Sequence, residues 1–271
     1  MKPTLALVFD FDDTLAPDST SGLMAELGFD APAFWAGEFD QMLREGWDQV
    51  PGFLYKLQQL SEEAGGVITA DFLKDWGQRL PLFDGVEDFF DRLRDFIKQE
   101  APEVNLEFYL ISSGIGQVLR HTKIAHHFTE IWASDFAYGP NGGISAPKRV
   151  VSFTDKTRYL FQISKGIIGE KAKDYYLVNQ RFDDFRIPMA QMLFLGDGAT
   201  DIPCFSLLKR KGGEAIAVYH GQRIDSWKKA RHFITEDRVK MIGRADYREG
   251  SPLLDTIQGL LIEMIERNQL A

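Results

Sequence analysis

The sequence predicts an α/β protein with a doubly wound, Rossmann-like parallel sheet core and an inserted helical cap. Short apolar runs at 5–9, 106–111 (interrupted by Glu107) and 192–195 suit strands covered on both faces. Segments with apolar residues at helical spacing separate them, and strands alternating with helices indicate a parallel sheet wound on both sides. From 16 to 80 the alternation stops and only helical patterns remain.

Taken in order, the run 5–9 is the first strand and ends at Asp10. Within the insert, helices are expected over 19–27, 32–44, 51–64 and 70–78. Asp30 and Thr69 suit N-caps, and Pro32 suits a first helical turn. The aromatics Phe34, Trp35, Phe39, Trp47, Phe53, Tyr55 and Trp76 are expected to form the core of this small bundle, with one or two facing a ligand. The segment 86–98 places Phe89, Phe90, Leu93, Phe96 and Ile97 on one helix face. Strands are expected over 106–111 and 131–133, and Asn141-Gly142 marks a β-hairpin turn. The stretch 166–187 carries no assigned role. Strands follow at 192–195, 215–219 and 232–234. Leu253, Leu254, Ile257, Leu260, Leu261, Met264 and Ile265 then form the stripe of a helix packed on the sheet. These elements divide the chain into a core of 1–15 and 81–271 and a cap of 16–80.

The 271 residues allow one large domain or a domain with an insertion. With 31 basic and 40 acidic residues, the net charge is −9. That balance argues against general binding to nucleic acid or to anionic membranes. At 44% hydrophobic and 26% charged, the chain has the composition of a folded globule. The single cysteine, Cys204, excludes an internal disulfide and a cysteine-rich zinc site, and points to a reducing, cytoplasmic setting. No apolar stretch approaches the length of a membrane-spanning helix, and no targeting segment is visible.

Chemistry concentrates at strand ends. Val8-Phe9-Asp10-Phe11-Asp12-Asp13-Thr14 ends an apolar strand in three carboxylates within four residues. Such crowding is costly unless a cation binds, and Mg²⁺ suits an all-oxygen site. Leu193-Phe194-Leu195-Gly196-Asp197 ends a second strand in a carboxylate, with Asp201 one helical turn later. Tyr109-Leu110-Ile111-Ser112-Ser113-Gly114 ends a third in hydroxyls at an expected helix start, where backbone N–H groups receive phosphate readily. Taken alone, Ser112 would be an ordinary N-cap and Asp10-Phe11-Asp12-Asp13 an acidic surface turn. Three strands ending this way select one sheet edge, where open parallel sheets bind ligands. Lys156, at the start of a helix upstream of the Asp197 strand, is the best candidate for a cationic partner, ahead of Lys148.

These four motifs together resemble the haloacid dehalogenase superfamily of phosphohydrolases. The order Asp10-Phe11-Asp12-Asp13-Thr14, Ser112, Lys156, Gly196-Asp197-Gly198-Ala199-Thr200-Asp201 matches, over residues 5 to about 205. The phosphoserine-phosphatase-like branch is the nearest, because it inserts a helical cap between the first two motifs. Leu82-Phe83-Asp84-Gly85-Val86 looks like its return to the core, while 166–187 departs from its pattern. The resemblance implies Mg²⁺-dependent hydrolysis of a small phosphate monoester through an aspartyl-phosphate intermediate. Asp10 would be the nucleophile and Asp12 the general acid/base. Mg²⁺ would be held by Asp10, the backbone carbonyl of Asp12 and Asp197, with Asp201 supporting the metal through a neighbour or a water. Ser112, Ser113 and Lys156 would hold the phosphoryl group.

Rival readings are weaker. The superfamily's dehalogenases lack an acid two residues after the nucleophile, so Asp12 argues against one. Phosphomutases and phosphotransferases keep both aspartates and remain open. A non-enzymatic receiver-like phospho-aspartate module would leave Asp12 and the helical insert unexplained. Gly114-Ile115-Gly116 partly mimics a dinucleotide fingerprint but has Leu119 where the third glycine belongs. His126-His127 reads as a pair on a helix surface and Cys204 as core.

Overall fold

A computed structural model describes residues 2–270. In chain order its main elements are β1 (Thr4–Phe9), α1 (Ser19–Glu26), α2 (Ala31–Phe34), α3 (Asp40–Arg44), α4 (Gln49–Glu63), α5 (Ala70–Arg79) and α6 (Val86–Glu100). There follow β2 (Asn105–Ile115), α7 (Gly116–Leu119), β3 (Glu130–Tyr138), β4 (Ile144–Arg149), α8 (Phe153–Lys165), β5 (Met192–Gly196) and α9 (Ile202–Arg210). The chain closes with β6 (Glu214–Tyr219), α10 (Ile224–Thr235), β7 (Met241–Arg244) and α11 (Pro252–Arg267).

The strands form one sheet in the order β4-β3-β2-β1-β5-β6-β7, parallel except where β4 returns antiparallel on β3. Alternate residues of β1 serve the two faces. Leu5, Leu7 and Phe9 join the core under α6 and α11, while Ala6 and Val8 join the core under α8, α9 and α10. Burial on both faces is what makes the central strands β1 and β5 almost wholly apolar, and the doubly wound core is as the sequence predicts.

The helices between Ser19 and Arg79 follow their signals closely. Asp30 accepts a hydrogen bond from Ala33 N at 3.0 Å and Thr69 from Phe72 N at 3.2 Å, so both cap as expected. The segment expected as one helix over 32–44 carries a π-helical stretch at Trp35–Phe39. The extra residue per turn packs Trp35 edge-on against Phe34, Phe39 and Phe53. The chain enters and leaves this segment side by side, because Phe83 N donates to Leu15 O at 2.9 Å. At the exit, Gly85 has φ 80, and a Cβ there would lie 2.4 Å from Arg248 N, so only glycine fits. The hairpin expected around Asn141-Gly142 is β3–β4. It braces the helices from the side, where Ile144 N donates to Ile68 O at 2.8 Å.

Three expectations need correction. The run 232–234, expected as a strand, is the last turn of α10, and the edge strand is β7 instead. The buried residues of that helix, Ser226, Ala230 and Phe233, recur at i, i+4 and i+7, and His232 and Ile234 are exposed, so the run belongs to a helical face and not to a buried strand. His126 and His127 lie on a 3-10 turn, and His127 is buried, stacked on Phe90 and bonded through Nδ1 to Arg94. No helix starts at Ser112. The strand β2 runs on to Ile115, and the four-residue α7 begins only at Gly116.

The stretch 166–187 forms two 3-10 turns, Gly169–Lys173 and Tyr175–Asn179, lying against α8. Lys165 Nζ holds it by donating to the carbonyls of Val178 and Gln180 at 2.6 Å each.

Candidate active site

Sheet register decides which residues meet. Phe9 pairs with Leu110 on one side and Leu195 on the other, so β1 and β5 end level with each other beside Leu110 of β2, which itself runs on to Ile115. Asp10 N extends the ladder by donating to Leu195 O at 2.8 Å. The next residues, Asp10 and Asp12, Ser112 and Ser113, and Asp197 and Gly198, all line one cavity of about 230 Å³. Asp13 adopts φ 55, a left-handed conformation that Asp tolerates better than most residues, and it turns the chain just after Asp12.

Beneath this cavity lies Lys156, fully buried near the start of α8. Its Nζ is 3.0 Å from Asp10 Oδ1 and 2.6 Å from Asp201 Oδ1. Asp201 in turn accepts a hydrogen bond from Gly198 N at 3.0 Å through its other oxygen. Asp201 thus ties the Gly196-Asp197-Gly198 turn to the lysine. A Cβ on Gly196 would stand 2.4 Å from Asp201 Oδ2, which explains glycine there. On the β2 side, Ser112 Oγ accepts from Gly114 N at 3.0 Å. A Cβ on Gly114 would stand 2.8 Å from Asp12 Oδ2. Ser113 Oγ is buried at the cavity with no hydrogen-bond partner among the described residues.

Crowded, buried carboxylates resist ionisation. Burial raises Asp10 from 3.8 to about 7, with Asp201 and Asp197 adding to the rise and Lys156 opposing it. Burial raises Asp197 to about 6, opposed chiefly by Lys229. Burial and the neighbouring Asp18 hold Asp12 well above the usual carboxylate range, although Ser19 N donates to its Oδ1 at 2.7 Å. The Lys156 ammonium is held up by Asp10 and Asp201 against its own burial. Carboxylate oxygens of Asp10, Asp197 and Asp201 lie within 4.8 Å of one another, an all-oxygen donor set that fits a hard divalent cation.

Every site residue expected from the sequence is therefore in one neighbourhood. Asp10, Asp12, Ser112, Ser113 and Asp197 line the cavity, and Lys156 and Asp201 lie behind Asp10. Lys229 of α10 was not anticipated. It lines the cavity and its Nζ is 2.9 Å from Asp197 Oδ2. Arg223, 3.1 Å from Asp13 Oδ2, was also missed. Neither carries a local signal, since each is a surface cation in sequence until β6 and α10 bring it to the sheet edge. The helical insert closes the cavity with Asp18, Thr20, Trp35, Gln49, Val50 and Phe53.

This architecture is shared with solved phosphatases. An apo phosphoserine phosphatase superposes with a TM-score of 0.56 at 15% identity, covering 94% of this chain and 98% of that one. The fold is that of the haloacid dehalogenase superfamily. A substrate-bound phosphoserine phosphatase complex gives the same haloacid dehalogenase fold at TM-score 0.56 and 14% identity, over 96% of this chain and 99% of that one. So does a haloacid-dehalogenase-family hydrolase from Salmonella enterica serovar Typhi, at TM-score 0.56 and 17% identity, over 89% of this chain and 67% of that one. The phosphoserine-phosphatase-like branch expected from the motifs is thus the one the fold resembles. By sequence, an uncharacterized protein of Borreliella burgdorferi is 26% identical over 294 residues, spanning 93% of this chain and 95% of the relative. No family model matches the chain.

Proposed function

We propose that this chain is a Mg²⁺-dependent phosphatase that hydrolyses a small phosphate monoester through a phosphoryl group carried on Asp10. The observation that carries the reading is the meeting of Asp10, Asp12, Ser112 and Asp197 in one cavity, with Lys156 bridging Asp10 and Asp201 behind it.

In the first step an Asp10 carboxylate oxygen bonds to phosphorus as the bond to the leaving oxygen breaks. Asp12 gives its proton to that oxygen, and its raised pKa supplies the protonated form. In the second step a water oxygen bonds to phosphorus and loses its proton to Asp12. The Asp10–phosphorus bond breaks, and inorganic phosphate leaves. Lys156 offsets the charge of Asp10 against the anionic ester. Ser112 and Ser113 hold the phosphoryl oxygens, and the Ser113 hydroxyl has its donor unused.

Asp10, Asp197 and the backbone carbonyl of Asp12 would hold Mg²⁺, with Asp201 positioning the turn that presents Asp197. Bound there, the cation supplies charge neutralisation for the transferring phosphoryl group. The cavity of about 230 Å³ lies below the roughly 300–1,000 Å³ common for drug-sized ligands, which favours a small ester over a phosphoprotein. No helix among the described residues is long and apolar enough to cross a membrane. The buried, unpaired Cys204 supports a reducing cytoplasmic setting.

Phosphate release from p-nitrophenyl phosphate tests the reading. Turnover should require Mg²⁺, stop in EDTA, and be lost in Asp10→Asn, which keeps the size of the side chain but not the nucleophile. Full turnover by that variant would reject Asp10 as the carrier.

A further inference from the structure

The part of the cavity facing away from the phosphoryl site is built by the helical insert, and its chemistry is one-sided. Asp18, Thr20, Trp35, Gln49, Val50 and Phe53 form it. The segment 16–80 contains four basic residues, Arg44, Lys56, Lys74 and Arg79. None of them lines the cavity. Arg44 pairs with Asp40, Lys56 with Glu38 and Arg79 with Glu26; Lys56 is half-buried, and Arg44, Arg79 and Lys74 are exposed. On the core side, Lys229 lines the cavity but is held by Asp197, and Lys156 is enclosed by Asp10 and Asp201.

A leaving group with a carboxylate of its own would therefore meet Asp18 with no cation of the insert to receive it, while Arg223, the cation beside Asp13, is already held by that carboxylate. Like charges so placed repel, and a desolvated carboxylate without a partner is costly. A cation meets the opposite situation. The Trp35 N–H is already spent on Ser21 Oγ at 2.7 Å, so the ring offers its apolar surface. Phe53 packs edge-on against it at 6.4 Å between centroids. Aromatic surface beside a carboxylate is the environment that attracts an ammonium group.

We propose that the substrate is the phosphate monoester of a small amino alcohol, whose leaving group carries a cationic amine and no carboxylate. The Asp18 carboxylate and the Trp35 and Phe53 rings receive the amine. This rests on the phosphatase reading and specifies the substrate of the same site. The absence of a cation on the insert wall, among the described residues, is the negative element that rejects phosphorylated amino acids.

The test compares kcat/KM, with Mg²⁺, for phosphoethanolamine, phosphocholine, glycerol phosphate and phosphoserine, with p-nitrophenyl phosphate as the class-independent substrate. The better of the two amino-alcohol esters should exceed both glycerol phosphate and phosphoserine by about tenfold or more, the scale of one desolvated cation–aromatic contact. Asp18→Asn should bring the ratio of amino-alcohol ester to glycerol phosphate toward one, chiefly through KM. Asn also caps α1, where Asp18 accepts from Ser21 N, so this variant should fold. Gln49→Arg, placing a cation on the exposed rim, should raise phosphoserine turnover relative to the amino-alcohol esters. Turnover of p-nitrophenyl phosphate without preference for the amino-alcohol esters, or with phosphoserine equal to them, would overturn the substrate class and leave the phosphatase reading standing. No turnover of any ester would overturn both.

Discussion

Lys156 is the residue on which the buried charges depend. It has no exposed surface, and its two partners, Asp10 and Asp201, are themselves buried. Removing one partner of a buried charge group leaves the others uncompensated, at about 3–5 kcal/mol. Lys156→Ala should lose that much stability at pH 8 in EDTA. At pH 5 the loss should shrink, because Asp10, already raised to about 7, then takes up a proton and needs no cation. Urea denaturation at the two pH values measures it, and a loss independent of pH would place the cost in packing. Asp12 makes a second prediction at this scale. An alkyl ester leaves as a strongly basic alkoxide and a nitrophenolate does not, and general acid catalysis is worth about 10²–10⁴-fold. Asp12→Asn should slow the first step for an alkyl phosphate far more than for p-nitrophenyl phosphate in rapid-quench experiments. The phosphoenzyme should then accumulate with the nitrophenyl ester. Equal slowing for both esters would show that Asp12 acts through structure.

At the level of elements, two helical glycines separate intrinsic propensity from packing. Glycine in an exposed helix interior is about 0.5–1 kcal/mol worse than alanine. Gly259 of α11 has open space where a Cβ would go, so Gly259→Ala should stabilise by about that amount. Gly77 of α5 faces α7, and a Cβ there would stand 2.3 Å from Val118 O. Gly77→Ala should therefore destabilise by about 1–3 kcal/mol despite the better propensity. Thermal unfolding of both variants decides it, and a stabilised Gly77→Ala would mean that α5 and α7 can separate without cost. The same contrast governs what was legible in the sequence. Strands β1 and β5 and the 108–111 stretch of β2 are apolar because both faces are covered, and the carboxylates and hydroxyls that follow them mark the site. Asp10, Asp12, Ser112 and Asp197 were legible for that reason. Lys156 was legible only by its place in the order of motifs. Strand β7 was not, since its residues are only partly buried and it pairs along one edge. Lys229 was hidden because its function depends on how α10 crosses the sheet edge, a tertiary fact with no local period. The Trp35–Phe39 π-helical stretch was hidden too, since its residues fit an ordinary helical pattern.

The whole molecule gathers Asp10, Asp12, Asp18 and Asp197 at one sheet edge of a chain that already carries a net charge of −9. Each of these four has a carboxyl raised above 3.8 by burial, so the folded protein binds more protons than the unfolded one above about pH 4. Stability then falls as pH rises through that window, since its slope follows the protons bound by the unfolded state minus those bound by the folded one. The acids with lowered values, Glu107, Asp237 and Asp246, act in the opposite sense but below about pH 4.5. His127, lowered from 6.5 by burial, opposes the trend inside the window, so the wild-type curve alone cannot isolate the site. The difference between wild type and Asp197→Asn can. In EDTA, Asp197→Asn should match wild type near pH 4 and become more stable by up to about 3 kcal/mol near pH 7, the value of a shift to about 6. Added Mg²⁺ should reverse the order at neutral pH. A cation that binds only the folded, deprotonated site stabilises wild type by mass action, and Asp197→Asn has lost a ligand. Urea denaturation of both proteins from pH 4 to 8, with EDTA and with Mg²⁺, reads the two differences directly. A gap that stays constant with pH, or Mg²⁺ stabilising both proteins equally, would remove Asp197 from the cation site. The opposite result would show that the sheet edge holds its acids at the expense of stability, and that the cation it is built for offsets the cost.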